Sequence, residues 1–185
     1  MPRLFVALSL PSPIISALEA VVKPTVEGCR WSERDNWHIT LHFIGDSAIE
    51  PIDALLQSIN GNPFNLSLTQ PGYFSSRQRG FTYWWGVERN EDLLTLQQSI
   101  REKITVRTNS PPVRHSVEGE KSYNPHITLA RCNPKTNPQK MSQFLHQPLN
   151  DDNQFWVDRF CLYSSHTKAD GADYRIEKTY RLEKN

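Results

Sequence analysis

Cysteine is scarce in this chain: Cys29, Cys132 and Cys161 are the three among 185 residues. They are odd in number and widely spaced, and no Cys-x-x-Cys occurs. The spacing therefore offers neither a zinc knuckle nor a disulfide framework, and buried or idle thiols in a reducing, intracellular setting are expected. Long apolar runs are missing too. No stretch approaches the ~18 residues that a membrane-crossing helix needs, so no membrane partner is expected. The opening Met1-Pro2-Arg3-Leu4 leads into no long apolar segment with a small-residue cleavage site. A secretory signal is thus not expected, and the cytoplasm is the expected location. Nor is there an excess of one charge. Lys and Arg number 21 against 20 Asp and Glu, a net charge of +1. That excludes a protein that coats long nucleic acid by charge alone, but not one that grips a single phosphate. No low-complexity segment or composition shift marks a linker, and one domain spanning 1–185 is expected.

What is present is enough apolar material for a core. Hydrophobic residues make up 37% of the chain, with five Trp, eight Phe and six Tyr. Leu4 to Leu10 reads as a strand, and Ile14, Ile15, Leu18, Val21 and Val22 recur at helical spacing. Trp37 to Ile44 alternates as a strand, followed by a helix through Ile52, Leu55, Leu56 and Ile59. Phe64 to Leu68 and Phe81 to Val87 read as two more strands. Asn90 is a fitting N-cap for a helix from Glu91 to about Ile104. Thr108 to Ser122 reads as an exposed loop, His126 to Arg131 as a strand, and Gln139 to His146 as a short helix. Phe155 to Ser164 and Tyr174 to Leu182 close the chain as two strands joined at Gly171. Several links are too short for parallel crossovers, so the fold class is α+β with mainly antiparallel sheet.

One repeat stands out. His38-Ile39-Thr40-Leu41 recurs as His126-Ile127-Thr128-Leu129. Each copy lies on an expected strand, which points to two similar lobes, related by a rough twofold axis, facing a central cleft. Strand side chains alternate faces. Trp37, Ile39, Leu41 and Phe43 then share the core face, and His38, Thr40 and His42 share the other. In the second copy His126 and Thr128 stand opposite Ile127 and Leu129. Two imidazoles on either side of one phosphate can act as base and acid near neutral pH, and the hydroxyls can donate to non-bridging phosphate oxygens. The stiff χ1 of threonine would hold each hydroxyl in place. A single His-x-Thr on a strand is ordinary, whereas two identical tetrads in register point to a function.

The doubled motif resembles the two-histidine (2H) phosphoesterase superfamily, and more narrowly the bacterial RNA 2',3'-cyclic phosphodiesterase / 2'-5' RNA ligase family. The opening Arg3-Leu4-Phe5-Val6-Ala7-Leu8-Ser9-Leu10-Pro11 is similar to that family's first strand. So are Trp37 to Gly45, Pro125 to Arg131, Leu162-Tyr163-Ser164-Ser165 and Tyr174. The resemblance implies a bilobal antiparallel fold and a metal-independent opening of 2',3'-cyclic phosphate ends of RNA or oligonucleotides to 2'-phosphomonoesters. Weak reverse 2'-5' ligation is also implied. It makes His38 the proton donor and His126 the proton acceptor, with Thr40, Thr128 and Arg131 binding phosphate. No cofactor is implied, and a monomer is expected.

Arg131 would fall on the apolar face under strict alternation, so its role requires a bulge, a twist or a strand end. His42 departs from the family pattern and is either a substrate contact or a peripheral hydrogen-bonding residue. Its i, i+4 spacing from His38 matches zinc helices, but the segment is a strand with no intervening Glu. Phe5 either stacks on a terminal base or packs in the core. Tyr123 and Tyr174 are candidates to flank the ribose. Trp84 and Trp85 read as core or edge packing, and His115, His146 and His166 as surface histidines. Arg77, Arg79, Arg107, Arg114 and Lys121 could steer an RNA backbone or be solvated charge. Two rivals stand beside the RNA reading. One is a cyclic phosphodiesterase for a small nucleotide, such as ADP-ribose 1'',2''-cyclic phosphate or a 2'-5' oligoadenylate. The other is a non-catalytic RNA-end-binding module, which would not need two titratable groups.

Overall fold

A computed structural model describes residues 1–108, 123–148, 153–168 and 171–183. Nine strands and four α-helices alternate along these residues. The order is β1 (Arg3–Ser9), α1 (Ser12–Glu19), β2 (Cys29–Trp31), β3 (His38–Asp46), α2 (Ile49–Leu56), β4 (Phe64–Ser76) and β5 (Gly80–Val87). Then come α3 (Glu91–Thr108), β6 (His126–Cys132), α4 (Ser142–Leu145), β7 (Gln154–Val157), β8 (Arg159–Lys168) and β9 (Gly171–Arg181). The sheet runs β7-β4-β5-β6-β3-β1-β8-β9, with β2 also beside β6. Every pairing is antiparallel, as the short links require. The α+β, antiparallel expectation is borne out.

The main core lies on the helix-covered side of this sheet. Leu4, Val6 and Leu8 of β1, Ile39 of β3 and Ile127 of β6 are buried there with Ile14, Leu18, Ile52, Leu56, Leu93 and Ile100 of the helices. Asn90 caps α3 as expected, its Oδ1 accepting from Leu93 N at 2.8 Å. Glu91 and Asp92 follow in the first turn, where the helix dipole favours acidic side chains. The opposite side of β1 and β8 holds a small second cluster of Phe5, Ala7, Cys161 and Tyr163, with Tyr174 against it.

Several elements differ from the sequence reading. Helix α1 stops at Glu19, short of Val21 and Val22, because Pro24 closes in behind Lys23 and Val22 is left exposed. β4 continues past Leu68 to Ser76, since Pro71 falls at a register shift where no ladder N–H is needed. The stretch Phe155 to Ser164 is two strands, broken at Asp158, whose carbonyl accepts from Leu182 N at 2.8 Å. β2 is three residues long, too short for any periodicity to show.

The cysteine expectation is overturned. Cys29 and Cys132 face each other across β2 and β6 and form a disulfide, leaving Cys161 as the buried free thiol. Spacing along the chain could not show this, because strand pairing brings together residues far apart in sequence. Cysteine usage therefore no longer argues for a reducing compartment. No helix among the described residues is long and apolar enough to cross a membrane. The expected loop from Thr108 to Ser122, with Arg114, His115 and Lys121, lies outside the described residues apart from Thr108, which ends α3, and nothing is described of the Arg107 side chain.

Candidate active site

β3 and β6 meet at one pair, Ile39 opposite Ile127, the second residues of the two tetrads. Both isoleucines are fully buried on the core side. Antiparallel register then sets His38 beside Thr128 and Thr40 beside His126, all four on the side away from the core.

The two histidines are held in the same way. A tight turn at Arg34–Asn36 leads into β3, and the Asn36 carbonyl meets His38 Nδ1 at 2.7 Å. In the second copy the Asn124 carbonyl meets His126 Nδ1 at 2.8 Å. A carbonyl only accepts, so Nδ1 carries the hydrogen in both rings and Nε2 is left to exchange a proton. Burial lowers the His38 pKa to about 4. The Asn36 carbonyl opposes this, and the charges of His126 and Arg131 add to it. His126 is also lowered, first by burial and then by Arg131, against the pull of the Asn124 carbonyl.

Alternation fails at the same place in both copies. In β3 the partner of Ala7 is Thr40 and the partner of Val6 is His42, so Leu41 is an extra, bulged residue. In β6 the partner of Trp84 is Thr128 and that of Tyr83 is Ala130, so Leu129 is bulged. Each bulge reverses the facing of the residues after it. The Leu41 carbonyl, displaced from the ladder, accepts from Gln97 Nε2 of α3 at 3.3 Å.

The reversal corrects two expectations. His42 shares the core side with Val6 rather than the face of His38. Its pKa is lowered by burial and by nearby Arg101. Phe43, expected in the core, is instead 45% exposed, with its ring 6.0 Å from Phe5. The same reversal turns Arg131, which occupies the position in its copy that Phe43 has in the other, onto the face of Thr82 and Trp84. Its Nη1 donates to Thr82 Oγ1 at 3.3 Å. Its charge acts on both imidazoles.

Phe5 stands on the cleft face in contact with His38, at 4.9 Å between ring centroids. It is stacked on Tyr163 at 5.0 Å and edge-on to Tyr174 at 5.1 Å. Tyr174 also meets His38 edge-on at 5.2 Å. Tyr123 lies just ahead of β6. It packs against the main core, and its hydroxyl donates to the Thr40 carbonyl at 3.0 Å. It therefore braces β3 from the entry to β6. Trp85 is core, whereas Trp84 is on the cleft face, 6.1 Å from His126. His146 bonds the Ser142 carbonyl at 2.7 Å, and His166 lies 2.9 Å from Ser164 Oγ. Among the described residues no three His, Cys, Asp or Glu side chains gather as a metal site.

Three residues on this face escaped the sequence reading. Asn36 donates its amide to the Ala172 carbonyl at 2.9 Å and accepts from Tyr174 N at 3.2 Å, tying β9 to the turn that aims His38. Asn124 holds the same position before His126. The signal was available, because the repeat is really Asn-x-His-Ile-Thr-Leu in both copies. Arg30 of β2 is directly opposite Arg131. Like charges set opposite each other oppose pairing, and an anion between them relieves that.

This fold and this doubled site define a phosphoesterase of the two-histidine kind. Residues 10–169 match the 2'-5' RNA ligase superfamily, and the chain belongs to that family. Among curated relatives, the RNA 2',3'-cyclic phosphodiesterase of Thermotoga maritima is 25% identical over 182 residues, 94% of this chain and 92% of the relative. The protein of that name from Methanocaldococcus jannaschii is 25% identical over 96% of this chain and 99% of its own. A crystal structure of a Thermus thermophilus protein is similar with a TM-score of 0.76 and 28% identity, covering 97% of each chain. The fold also matches E. coli LigT complexed with 3'-AMP, with a TM-score of 0.74, 24% identity and 99% of each chain covered.

Proposed function

We propose that this chain opens 2',3'-cyclic phosphate ends of RNA to 2'-phosphomonoesters. One domain of two lobes supplies one His-x-Thr unit from each lobe. The observation that carries the reading is the matched pair of imidazoles, each held through Nδ1 by the carbonyl two residues upstream, on strands joined at Ile39 and Ile127. The curated relatives bearing the name RNA 2',3'-cyclic phosphodiesterase support the substrate class.

In this reading water attacks phosphorus and gives its proton to His126 Nε2. The P–O3' bond breaks, and His38 Nε2 gives its proton to the departing 3' oxygen. The reaction as written is carried by the two imidazoles and needs no metal. Thr40, Thr128 and Arg131 hold the non-bridging oxygens as charge moves onto them. An empty site favours neutral imidazole at His38, and an anionic phosphodiester between the rings favours the imidazolium that the acid step requires. Tyr174, which stands edge-on to His38 over the buried Phe5, receives the terminal nucleoside on the His38 side.

The test is incubation with an oligonucleotide ending in a 2',3'-cyclic phosphate, in EDTA, with the product end identified. A 2'-phosphate formed at an undiminished rate is expected. A 3'-phosphate, or loss of activity restored by zinc, contradicts the reading. Turnover of a cyclic-phosphate mononucleotide in preference to the oligonucleotide would favour the small-nucleotide rival.

A further inference from the structure

Arg30 and Arg131 stand directly opposite each other on β2 and β6. Both are exposed, while their strand neighbours, Trp31 with Ala130 and Cys29 with Cys132, pack toward the core. Like charges set this way weaken a strand pair. Elsewhere Arg34, Arg159 and Arg175 each hold an acidic side chain. Among the described residues neither Arg30 nor Arg131 does. The pair is nonetheless firmly fixed. The Cys29–Cys132 bridge closes it at one end, and Ser32 N donates to the Leu129 carbonyl at 2.8 Å at the other. Trp31 meets Phe144 edge-on at 5.3 Å on the core side, and Arg131 Nη1 is turned toward Thr82 Oγ1. The fold thus holds two uncompensated cations side by side, although their repulsion opposes it.

Their place in the sheet says what they face. His126, Thr128 and Arg131 follow one another along the cleft side of β6, the last turned there by the bulged Leu129. The charge of Arg131 lowers both imidazoles, which ties it to the reacting phosphate. Arg30 lies across from it on β2, past the point where β3 pairs with β6. A cyclic phosphodiester carries one negative charge, which one guanidinium answers. A second guanidinium a step further out matches a second anionic group on the same substrate. In an RNA chain that group is the phosphodiester on the 5' oxygen of the terminal nucleoside.

We propose that Arg30, with the outer side of Arg131, forms a second phosphate subsite, which binds the phosphate on the 5' side of the terminal nucleoside. This subsite rests on the cyclic-phosphate reading and deepens it by naming what the substrate carries besides its cyclic end. The protein then recognises two phosphates one nucleoside apart. An oligonucleotide presents both, whereas a bare nucleoside 2',3'-cyclic phosphate presents only the reacting one. Phosphate contacts position a chain without reading its sequence, so the selection is for the second phosphate and not for a base. Binding at Arg30 displaces counterions, so the selection weakens as salt is raised.

The test compares kcat/KM for adenosine 2',3'-cyclic phosphate, for its 5'-phosphorylated form, and for the adenylyl-adenosine dinucleotide ending in the same cyclic phosphate. Wild-type protein is expected to favour each substrate with a second phosphate over the first by about 10- to 100-fold, the effect of one hydrogen-bonded charge contact. Arg30→Ala is expected to bring both ratios toward one. Arg30→Lys, which keeps the charge and loses the fork, retains part of them. A ratio taken on one preparation does not depend on how much of a variant is folded. Raising the salt concentration should lower both ratios in wild-type protein, and less steeply in Arg30→Ala. Equal values for the three substrates in wild-type protein, or a preference that Arg30→Ala leaves intact, overturns the subsite alone. So does a preference for the dinucleotide that the 5'-phosphorylated mononucleotide does not share, which assigns the selection to the upstream nucleoside. Failure of wild-type protein to open any of the three overturns the cyclic-phosphate reading as well.

Discussion

Ile39 and Ile127 face each other across the junction of β3 and β6, and this single cross-strand pair sets the geometry of the whole site. Both are fully buried, so the pairing is fixed from the core side. A one-residue slip of either strand would send its isoleucine to the cleft and its His and Thr side chains to the core. Ile39→Ala is therefore expected to cost about 2–5 kcal/mol of stability. Urea unfolding measures this, and a loss well under 1 kcal/mol would show that the junction is held elsewhere.

Arg131 reaches the cleft only because Leu129 is bulged, and Arg30 stands opposite it. Arg131→Ala is expected to lower kcat/KM by about 10- to 100-fold, since a hydrogen bond to a charged group contributes about 1.5–3 kcal/mol. The charge of Arg131 also lowers both histidines. The variant's pH profile should therefore move to higher pH. Arg30→Ala is expected to weaken oligonucleotide binding and its salt dependence. Unchanged kinetics in Arg131→Ala would remove it from the phosphate site.

The pH dependence follows from burial. His38 titrates at about 4 and His126 below its ordinary 6.5 in the empty site. The profile of kcat/KM, which reports the free enzyme, should be a bell with its maximum below pH 6.5, belonging to the pair. The profile of kcat should lie at higher pH, because the bound phosphate favours imidazolium. Stability has its own sign. The unfolded chain binds more protons at His38 between pH 6.5 and about 4, so its contribution is full above 6.5 and lost as pH falls through that window. His38→Gln should flatten the fall of Tm there. Equal slopes in variant and wild type would contradict the buried, neutral imidazole.

Much of this was legible in the chain itself. The His-Ile-Thr-Leu repeat marked both strands, and the Asn90 cap and the short strand links carried the elements and the antiparallel class. What failed was strict alternation beyond the tetrads. Leu41 and Leu129 look like ordinary core residues in sequence, and their bulges arise from pairing with β1 and β5. His42, Phe43 and Arg131 therefore face opposite to a period-two reading. The disulfide was hidden for a related reason, since β2 carries too few residues to announce itself.

The Cys29–Cys132 bridge pins β2, and with it Arg30, to the end of β6. Cys132→Ser is expected to destabilise the protein by about 2–4 kcal/mol. Alkylation of the unreduced, denatured protein should modify Cys161 alone. Modification of all three cysteines would show that the bridge does not form.

The central claim is that two imidazoles work on one phosphorus, one taking a proton and the other giving one. Single-turnover cleavage of an oligonucleotide 2',3'-cyclic phosphate by His38→Ala and by His126→Ala tests it most directly. Each variant should fall by about 10²- to 10⁴-fold with its fold intact. A near-normal rate in either would contradict the account.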